Sequence, residues 1–122
     1  MNNEKIKAVF VTDDKGEPEY IESGGVKHFK IQLAMEDTPT DAYAVTYELH
    51  ESYYDAIREN HHRDEGFREE LTSYGDYDIQ VKVRSRQGTS ILRTSLADAL
   101  QQGHTEGSTP AVAKAIAMIK AH

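Results

Sequence analysis

Strict alternation of apolar and polar residues is the feature that most limits how this chain can fold. The segment 28–35 alternates an apolar residue with a polar or small one throughout, and residues 6–12, 45–50 and 76–84 show the same period. A period of two places successive side chains on opposite faces of a β-strand, so each segment is expected to bury one face. Such segments, separated by turn sequences, predict a β-sandwich of about seven or eight short strands.

The last third of the sequence changes from the strand period to the helical one. Ser95 is the predicted N-cap of a short helix over residues 96–102, and Gly103 is its predicted stop. Thr109 is expected to cap a second helix that begins with Pro110. We therefore expect the helices to be confined to the C-terminal third of the chain.

The second helix carries a narrow apolar stripe. Val112, Ile116 and Ile119 lie on one face, because spacings of four and three residues follow the helical period. We expect this stripe to pack on the sandwich; docking of a partner subunit is the alternative. The chain then divides into residues 1–103, a sandwich with its short terminal helix, and residues 104–122, a linker and a helix packed on the sandwich.

Residues 54–70 give the weakest prediction. The run 58–65 is charged or polar throughout and offers no apolar face to pack, so an exposed excursion is expected there. It contains the adjacent histidines His61 and His62, close to Asp64 and Glu65, which suggests a metal site. A charged loop lacks the fixed geometry that metal ligation needs, so we interpret the segment as solvated.

Composition limits the function classes. The 122 residues carry 21 acidic and 14 basic side chains, a formal net charge of -7, which disfavours a nucleic-acid partner and favours a basic one. The sequence contains no cysteine, which excludes disulfides, thiolate catalysis and cysteine-ligated zinc. No apolar run reaches the roughly 20 residues of a membrane span, and the first residues lack a signal-peptide pattern. We expect a cytoplasmic protein with no membrane insertion and no cofactor.

Two loops concentrate aromatic and hydroxyl side chains. One follows the strand 45–50, and the other precedes the strand 76–84. If the two strands share a sandwich, these loops can lie at the same end and form a small aromatic-walled slot. The residues that would form it are His50, Ser52, Tyr53, Ser73, Tyr74, Gly75 and Tyr77.

Purely structural roles are also open for several of these side chains. Tyr47 and Tyr77 alternate with apolar neighbours and fit the core as plain aromatics. His50 can be an ordinary strand-end histidine, and Ser52 can cap the turn that follows. His104 and His122 belong to no recognisable cluster in the sequence.

Residues 45–53 and 67–79 resemble the YEATS domain family. The most specific part is Leu-His-Glu-Ser-Tyr at residues 49–53, because family members end a strand in Leu-His-Glu-Ser-Phe. Residues 67–79 are similar to the family's glycine–aromatic loop and the alternating strand after it, and Gly-Val-Lys-His-Phe at residues 25–29 is similar to an earlier loop. The resemblance covers residues 24–93. In overall style the chain is most similar to the prokaryotic branch, which is regarded as a candidate sensing or signalling module.

This resemblance implies an all-β, immunoglobulin-like β-sandwich whose loops at one end read acylated lysine. On the family's pattern, Ser52 hydrogen-bonds the acyl amide and His50 orients that serine. Tyr53 and Tyr74 would form the two walls around the flat acyl group, and Tyr77 would line the far side. The implied partner is an acylated-lysine peptide or another protein.

Two positions depart from the family's pattern. Val26 stands where eukaryotic readers carry a phenylalanine, and Ser73 stands where the family has a glycine before the aromatic wall. The full candidate ligand-binding set is His50, Ser52, Tyr53, Ser73, Tyr74, Gly75, Tyr77, Val26 and His28.

An enzymatic function is the least favoured interpretation. His50 and Ser52 lie two residues apart on one strand face, as a base and a nucleophile could, but no third orienting group is visible. The sequence has no Gly-x-Ser-x-Gly, His-Glu-x-x-His or phosphate-binding glycine motif. We therefore predict a non-enzymatic binding module; the alternatives are a protein-interaction or signalling module with a vestigial pocket, and a small hydrolase.

Overall fold

The predicted all-β, immunoglobulin-like β-sandwich with short C-terminal helices is confirmed. The computed structural model describes residues 4–105 and 109–122. Those residues form eight β-strands in two four-stranded antiparallel sheets, together with two α-helices and one turn of 3-10 helix. Both α-helices follow the last strand, as the change of period predicts.

The first sheet is built around a long central strand. Its members are β1 (Lys5–Phe10), β2 (Tyr20–Ser23), β3 (Val26–Glu36) and β6 (Glu69–Ser73). β1 pairs with residues 31–36 of β3, and β2 pairs with residues 26–29. Because β6 pairs with residues 29–33, it overlaps both and must occupy the opposite edge. β1 and β2 therefore follow one another along the same edge of β3.

The second sheet has the order β5-β4-β7-β8. Its strands are β4 (Ala44–Glu48), β5 (Ile57–Asn60), β7 (Asp78–Ser85) and β8 (Gly88–Ser95). The last two form a hairpin in which Ser85 pairs with Gly88.

The inward faces of the two sheets form one core. Tyr47 is completely buried, and its hydroxyl donates a hydrogen bond of 2.6 Å to the carbonyl oxygen of Phe67. Burial raises the pKa of Tyr47 above its usual value, and Glu69 adds to the shift. Tyr47 is thus a core aromatic with a satisfied hydroxyl, as its alternation with apolar neighbours predicts.

The predicted exposed excursion over residues 58–65 is confirmed only for residues 61–65, which are exposed, and is wrong for residues 58–60. Residues Ile57–Asn60 form β5, which pairs with β4. Ile57 is exposed, so the strand is held by its backbone ladder and not by an apolar face. Its last residue, Asn60, is buried, and its amide donates to the carbonyl of Arg68 at 3.0 Å and to the carboxylate of Glu69 at 2.7 Å.

The helices begin where the sequence predicts. α1 (Leu96–Gly103) has Ser95 as its N-cap, and α2 (Pro110–Lys120) has Thr109. Both cap side chains accept a backbone N–H three residues on, at 3.1 and 3.2 Å.

The predicted role of Gly103 as a helix stop is wrong. Gly103 belongs to α1, and the cap is His104. A Cβ added at Gly103 would lie 2.0 Å from the carbonyl oxygen of Ala8. The missing side chain therefore allows α1 to approach β1 closely, instead of supplying a left-handed cap.

α2 buries the predicted stripe. Val112, Ile116 and Ile119 are buried together with Ala115, and all four belong to the same hydrophobic core as the strands. Residues 106–108 of the predicted linker lie outside the described residues.

His104 ties the end of α1 to the first strand, contrary to the expectation that it belongs to no cluster. Its Nε2 accepts the backbone N–H of Phe10 at 3.1 Å, and its ring stacks on the Phe10 ring at 5.6 Å. Burial lowers the pKa of His104. An accepting Nε2 has to be unprotonated, so the contact belongs to the neutral imidazole.

This contact predicts a loss of stability in mild acid. The unfolded chain binds a proton at His104 near pH 6.5, whereas the folded chain binds it only at lower pH. The contribution of His104 to stability should thus be fully present above about pH 6.5, and it should be lost as the pH falls through the lower pKa of the folded state. Melting temperatures at several pH values should fall more steeply for the unaltered protein than for His104→Gln, which can still accept a hydrogen bond but does not titrate. Parallel curves would contradict this assignment.

Candidate functional site

Three chain segments meet at one end of the sandwich. Near the end of β4, Glu48 pairs with Gln80, close to the start of β7. In the other sheet, Phe29 near the start of β3 pairs with Ser73, the last residue of β6. The loop after β4, the β6–β7 loop and the start of β3 therefore lie together.

These segments surround one cavity of about 320 Å³, called the main cavity below. Eight of the nine predicted ligand-binding residues line it; the ninth, Val26, lines a neighbouring second cavity of about 200 Å³. The lining residues of the main cavity are His28, His50, Ser52, Tyr53, Thr72, Ser73, Tyr74, Gly75, Asp76, Tyr77 and His122.

His50 and Ser52, on the loop after β4, are hydrogen-bonded to each other. The Nδ1 of His50 lies 2.8 Å from the Oγ of Ser52 and 3.1 Å from the backbone nitrogen of Ser52. Because that backbone N–H can only donate, Nδ1 has to accept, and the serine hydroxyl then donates to it as well. The remaining lone pairs of the Ser52 oxygen are free to accept a hydrogen bond from a ligand. Both side chains are exposed, so the pair is accessible.

Tyr53 and Tyr77 form a rigid part of the cavity lining. The Tyr53 hydroxyl donates to the carbonyl oxygen of Thr72 at 2.7 Å. The two rings lie 5.7 Å apart and pack against the core. Burial raises the pKa of Tyr77, so its phenol stays neutral. The Tyr77 hydroxyl is buried and makes no hydrogen bond of standard geometry among the described residues, although the nearby Tyr53 side chain adds to the rise of its pKa.

Tyr74 forms a more exposed wall. It is 52% exposed, and its ring makes edge contacts with two imidazoles, His28 at 5.1 Å and His122 at 6.3 Å. The ring contacts of Tyr53 and Tyr74 thus involve different residues, although both rings line the same cavity.

Ser73 shapes the second loop. Its side chain is buried, and its Oγ donates to the carbonyl of Gly75 at 2.7 Å while accepting the Gly75 N–H at 3.3 Å. Asp76 anchors the same loop by accepting the N–H of Ala97 at 2.9 Å near the start of α1. The Ser73 hydroxyl is therefore committed to the turn.

Sequence reasoning missed three residues that line the main cavity. Thr72 directly precedes the predicted residues of the second loop and Asp76 lies between two of them, so both could have been included by adjacency alone. His122 follows α2 and is far away in sequence, so no local pattern connects it with the two loops.

The adjacent histidines His61 and His62 belong to no metal-binding cluster within the described part of the chain. No group of three or more His, Asp or Glu side chains suited to a metal ion occurs among residues 4–105 and 109–122. His61 and His62 are exposed, and the Nε2 of His61 lies 3.1 Å from a carboxylate oxygen of Glu59. Over the same residues, no helix is long and apolar enough to cross a membrane.

Comparison with known proteins gives a result at the level of the fold. No protein-family model matches the chain, and neither does any curated protein. Solved structures do match. The Yaf9 YEATS domain recognizing an H3K122suc peptide aligns with a TM-score of 0.55 and 14% identity, over 80% of this chain and 70% of that one.

Two further Yaf9 structures agree. One YEATS domain of Yaf9 aligns with a TM-score of 0.55 and 13% identity over 85% of this chain and 80% of that one. Another, bound to H3K27ac, gives 0.52 and 14% over 75% and 66%. Yaf9 is the yeast AF-9 homolog. The chain has a YEATS-like fold.

The YEATS-like fold agrees with the resemblance seen at residues 24–93. Identities of 13 to 14% support the fold alone. Assignment to the prokaryotic branch, a cytoplasmic location and the ligand-binding roles of individual residues stay predictions.

Proposed function

We propose that this YEATS-like domain is a non-enzymatic binding module that recognises an acylated lysine, or a similar flat amide-bearing group, in the main cavity. The main support for this proposal is the hydrogen-bonded pair of His50 and Ser52, which lies at a cavity lined by three tyrosine rings. The physiological partner would be an acylated-lysine peptide or another protein.

The chemistry of an amide fits this lining. A secondary amide offers an N–H, which the free lone pairs of the Ser52 oxygen can accept because the serine proton is already donated to His50. A planar acyl group offers two apolar faces, for which the tyrosine rings supply stacking surfaces. The cavity volume of about 320 Å³ lies at the lower end of the range of small-molecule sites.

The solved neighbours point the same way. The Yaf9 YEATS domain was solved bound to H3K27ac and recognizing an H3K122suc peptide. The resemblance to the family implies that the acylated side chain is read by the positions of His50, Ser52, Tyr53 and Tyr74. Net charge of -7 suits a basic, lysine-containing peptide.

A small hydrolase is the competing function that one observation favours. The 2.8 Å contact between His50 and Ser52 is also the geometry of a base and a nucleophile. However, the ring contact of His50 is with Tyr77 at 5.8 Å, and no carboxylate is hydrogen-bonded to this imidazole among the described residues. Without such a group the base lacks an orienting partner, which favours binding over turnover.

Two substitutions test the binding proposal with different expected profiles. Ser52→Ala removes one hydrogen bond worth about 0.5 to 1.5 kcal/mol, so affinity should fall by a similar factor for every acyl group. Tyr74→Ala removes a stacking face worth about 0.5 to 1.5 kcal/mol beyond its buried area, so the loss should be steepest for flat unsaturated acyl groups such as crotonyl. Calorimetry with one peptide sequence carrying acetyl, butyryl, crotonyl or unmodified lysine measures both.

Tyr54→Ala is the matched control for Tyr74→Ala. Tyr54 is fully exposed on the loop that carries Ser52 and does not line the main cavity, so its loss should leave the acyl profile unchanged. Equal binding of all peptides, or none at millimolar concentration, would reject the proposal and favour an interaction module with a vestigial pocket. Release of the acyl group from the peptide, detected by mass spectrometry, would favour the hydrolase.

A further inference from the structure

The main cavity and the second cavity share part of their lining. Tyr74 and His122 line both, and together they are called the partition. On the far side of the partition, the second cavity is lined by the apolar side chains of Val26, Phe29 and Met118, among others. A partly apolar space of about 200 Å³, whose lining also includes the charged residues Glu22 and Lys27, thus adjoins one wall of the candidate acyl site.

Backbone contacts fix His122 in this position. Its N–H donates to the carbonyl of Ile119 at 3.2 Å, which continues the last turn of α2. A Cβ added at Gly75 would lie 3.1 Å from the Cβ of His122 and 3.2 Å from its carbonyl carbon. The β6–β7 loop and the end of α2 therefore touch, and the imidazole has its edge against the ring of Tyr74.

The partition joins two parts of the chain that are distant in sequence. Tyr74 belongs to a loop that the resemblance to the YEATS family covers, whereas His122 comes from beyond α2. On its other side Tyr74 contacts His28 of β3. His28 lines the main cavity but is absent from the lining of the second, so of the two imidazoles only His122 separates the cavities.

We propose that His122 is a specificity-determining residue, which closes the acyl-binding cavity at the partition and restricts the ligand to short acyl chains. This inference rests on the proposed function of the main cavity. Tyr74 is needed as a stacking wall, so His122 is the part of the partition that can be removed while the acyl site is kept. Without its imidazole, the main cavity opens towards Val26, Phe29 and Met118, where a longer alkyl chain finds apolar surroundings.

The expected effect follows from the burial of methylene groups. Each methylene that moves from water into apolar surroundings improves affinity by about fourfold. In the unaltered protein, the two extra methylenes of hexanoyl-lysine relative to butyryl-lysine meet the partition and bring no gain. In His122→Ala they enter the second cavity, so the hexanoyl peptide should bind about sixteenfold more tightly than the butyryl peptide.

The experiment is calorimetric titration of one peptide carrying acetyl-, butyryl-, hexanoyl- or octanoyl-lysine into the full chain. His122→Phe is the conservative variant; it keeps a ring at the partition and should retain the preference for short chains. His28→Ala is the matched control, since it removes the other imidazole beside Tyr74. That variant should weaken binding at every chain length without changing the order of the peptides.

The possible outcomes separate this inference from the function on which it rests. A gain with chain length in His122→Ala, absent from the unaltered protein and from His122→Phe, supports the partition. Acyl peptides that bind with the same length order in the unaltered protein and in His122→Ala overturn it but leave the proposed function standing. Binding of no acyl peptide to the unaltered protein overturns both.

Discussion

Replacement of Gly103 with alanine is expected to lower the free energy of unfolding by about 3 kcal/mol or more. The added Cβ would lie 2.0 Å from the carbonyl oxygen of Ala8 and 2.9 Å from its carbonyl carbon. These are backbone atoms of β1, a strand paired along its whole length with β3, so they cannot rotate out of the way. Relief requires α1 to move away from the sheet, which exposes Leu96 and Leu100.

In Gly103→Ala, the steric clash with β1 acts against the higher helix propensity of alanine. Alanine is favoured over glycine inside a helix by about 1 kcal/mol, so a glycine without close neighbours would be stabilised by this change. The matched control is Gln102→Ala, one residue earlier in α1 and exposed, which should change stability by less than about 0.5 kcal/mol. Urea unfolding followed by circular dichroism measures both variants. A Gly103→Ala protein as stable as the unaltered one would show that α1 does not pack on β1 as described.

The strands that could be predicted from sequence are those with one buried face. Burial on one side imposes alternation, and β3 and β7 show it over seven residues or more. β5 was missed because it is an edge strand whose side chains are largely exposed, and a backbone ladder leaves no apolar pattern. Gly103 was misread for a related reason: one residue type serves both as a helix stop and as a close contact, and only the neighbouring chain distinguishes the two roles.

In the candidate site, too, the residues that could be predicted are those whose neighbours in the site are also neighbours in sequence. Short motifs identified the two loops, because the residues that form each loop are adjacent in sequence. The contribution of His122 could not be predicted, since it depends on how α2 lies against Gly75. Val26 was aligned with the site by its loop, yet it lines the second cavity behind the partition.

Removal of α2 is the second change for which we expect a large effect. A chain that ends at Gly107 loses Val112, Ile116 and Ile119, whose burial contributes on the order of 5 kcal/mol before the entropy of ordering the helix is subtracted. Single domains are typically stable by about 5 to 15 kcal/mol in total, so even a partial loss is a considerable fraction. The melting temperature should fall by roughly 10 °C or more.

Two full-length variants show whether packing of the stripe causes this loss. Ile119→Ala keeps the helix but removes a completely buried side chain, and should cost about 2 to 5 kcal/mol. Lys114→Ala alters the exposed face of α2 and should be nearly neutral. A truncated chain that melts at the temperature of the full chain would favour the alternative left open by the sequence, in which α2 docks a partner subunit. A destabilised truncated chain together with a destabilised Ile119→Ala protein would instead establish α2 as part of the core, and would explain how His122 is held against Tyr74.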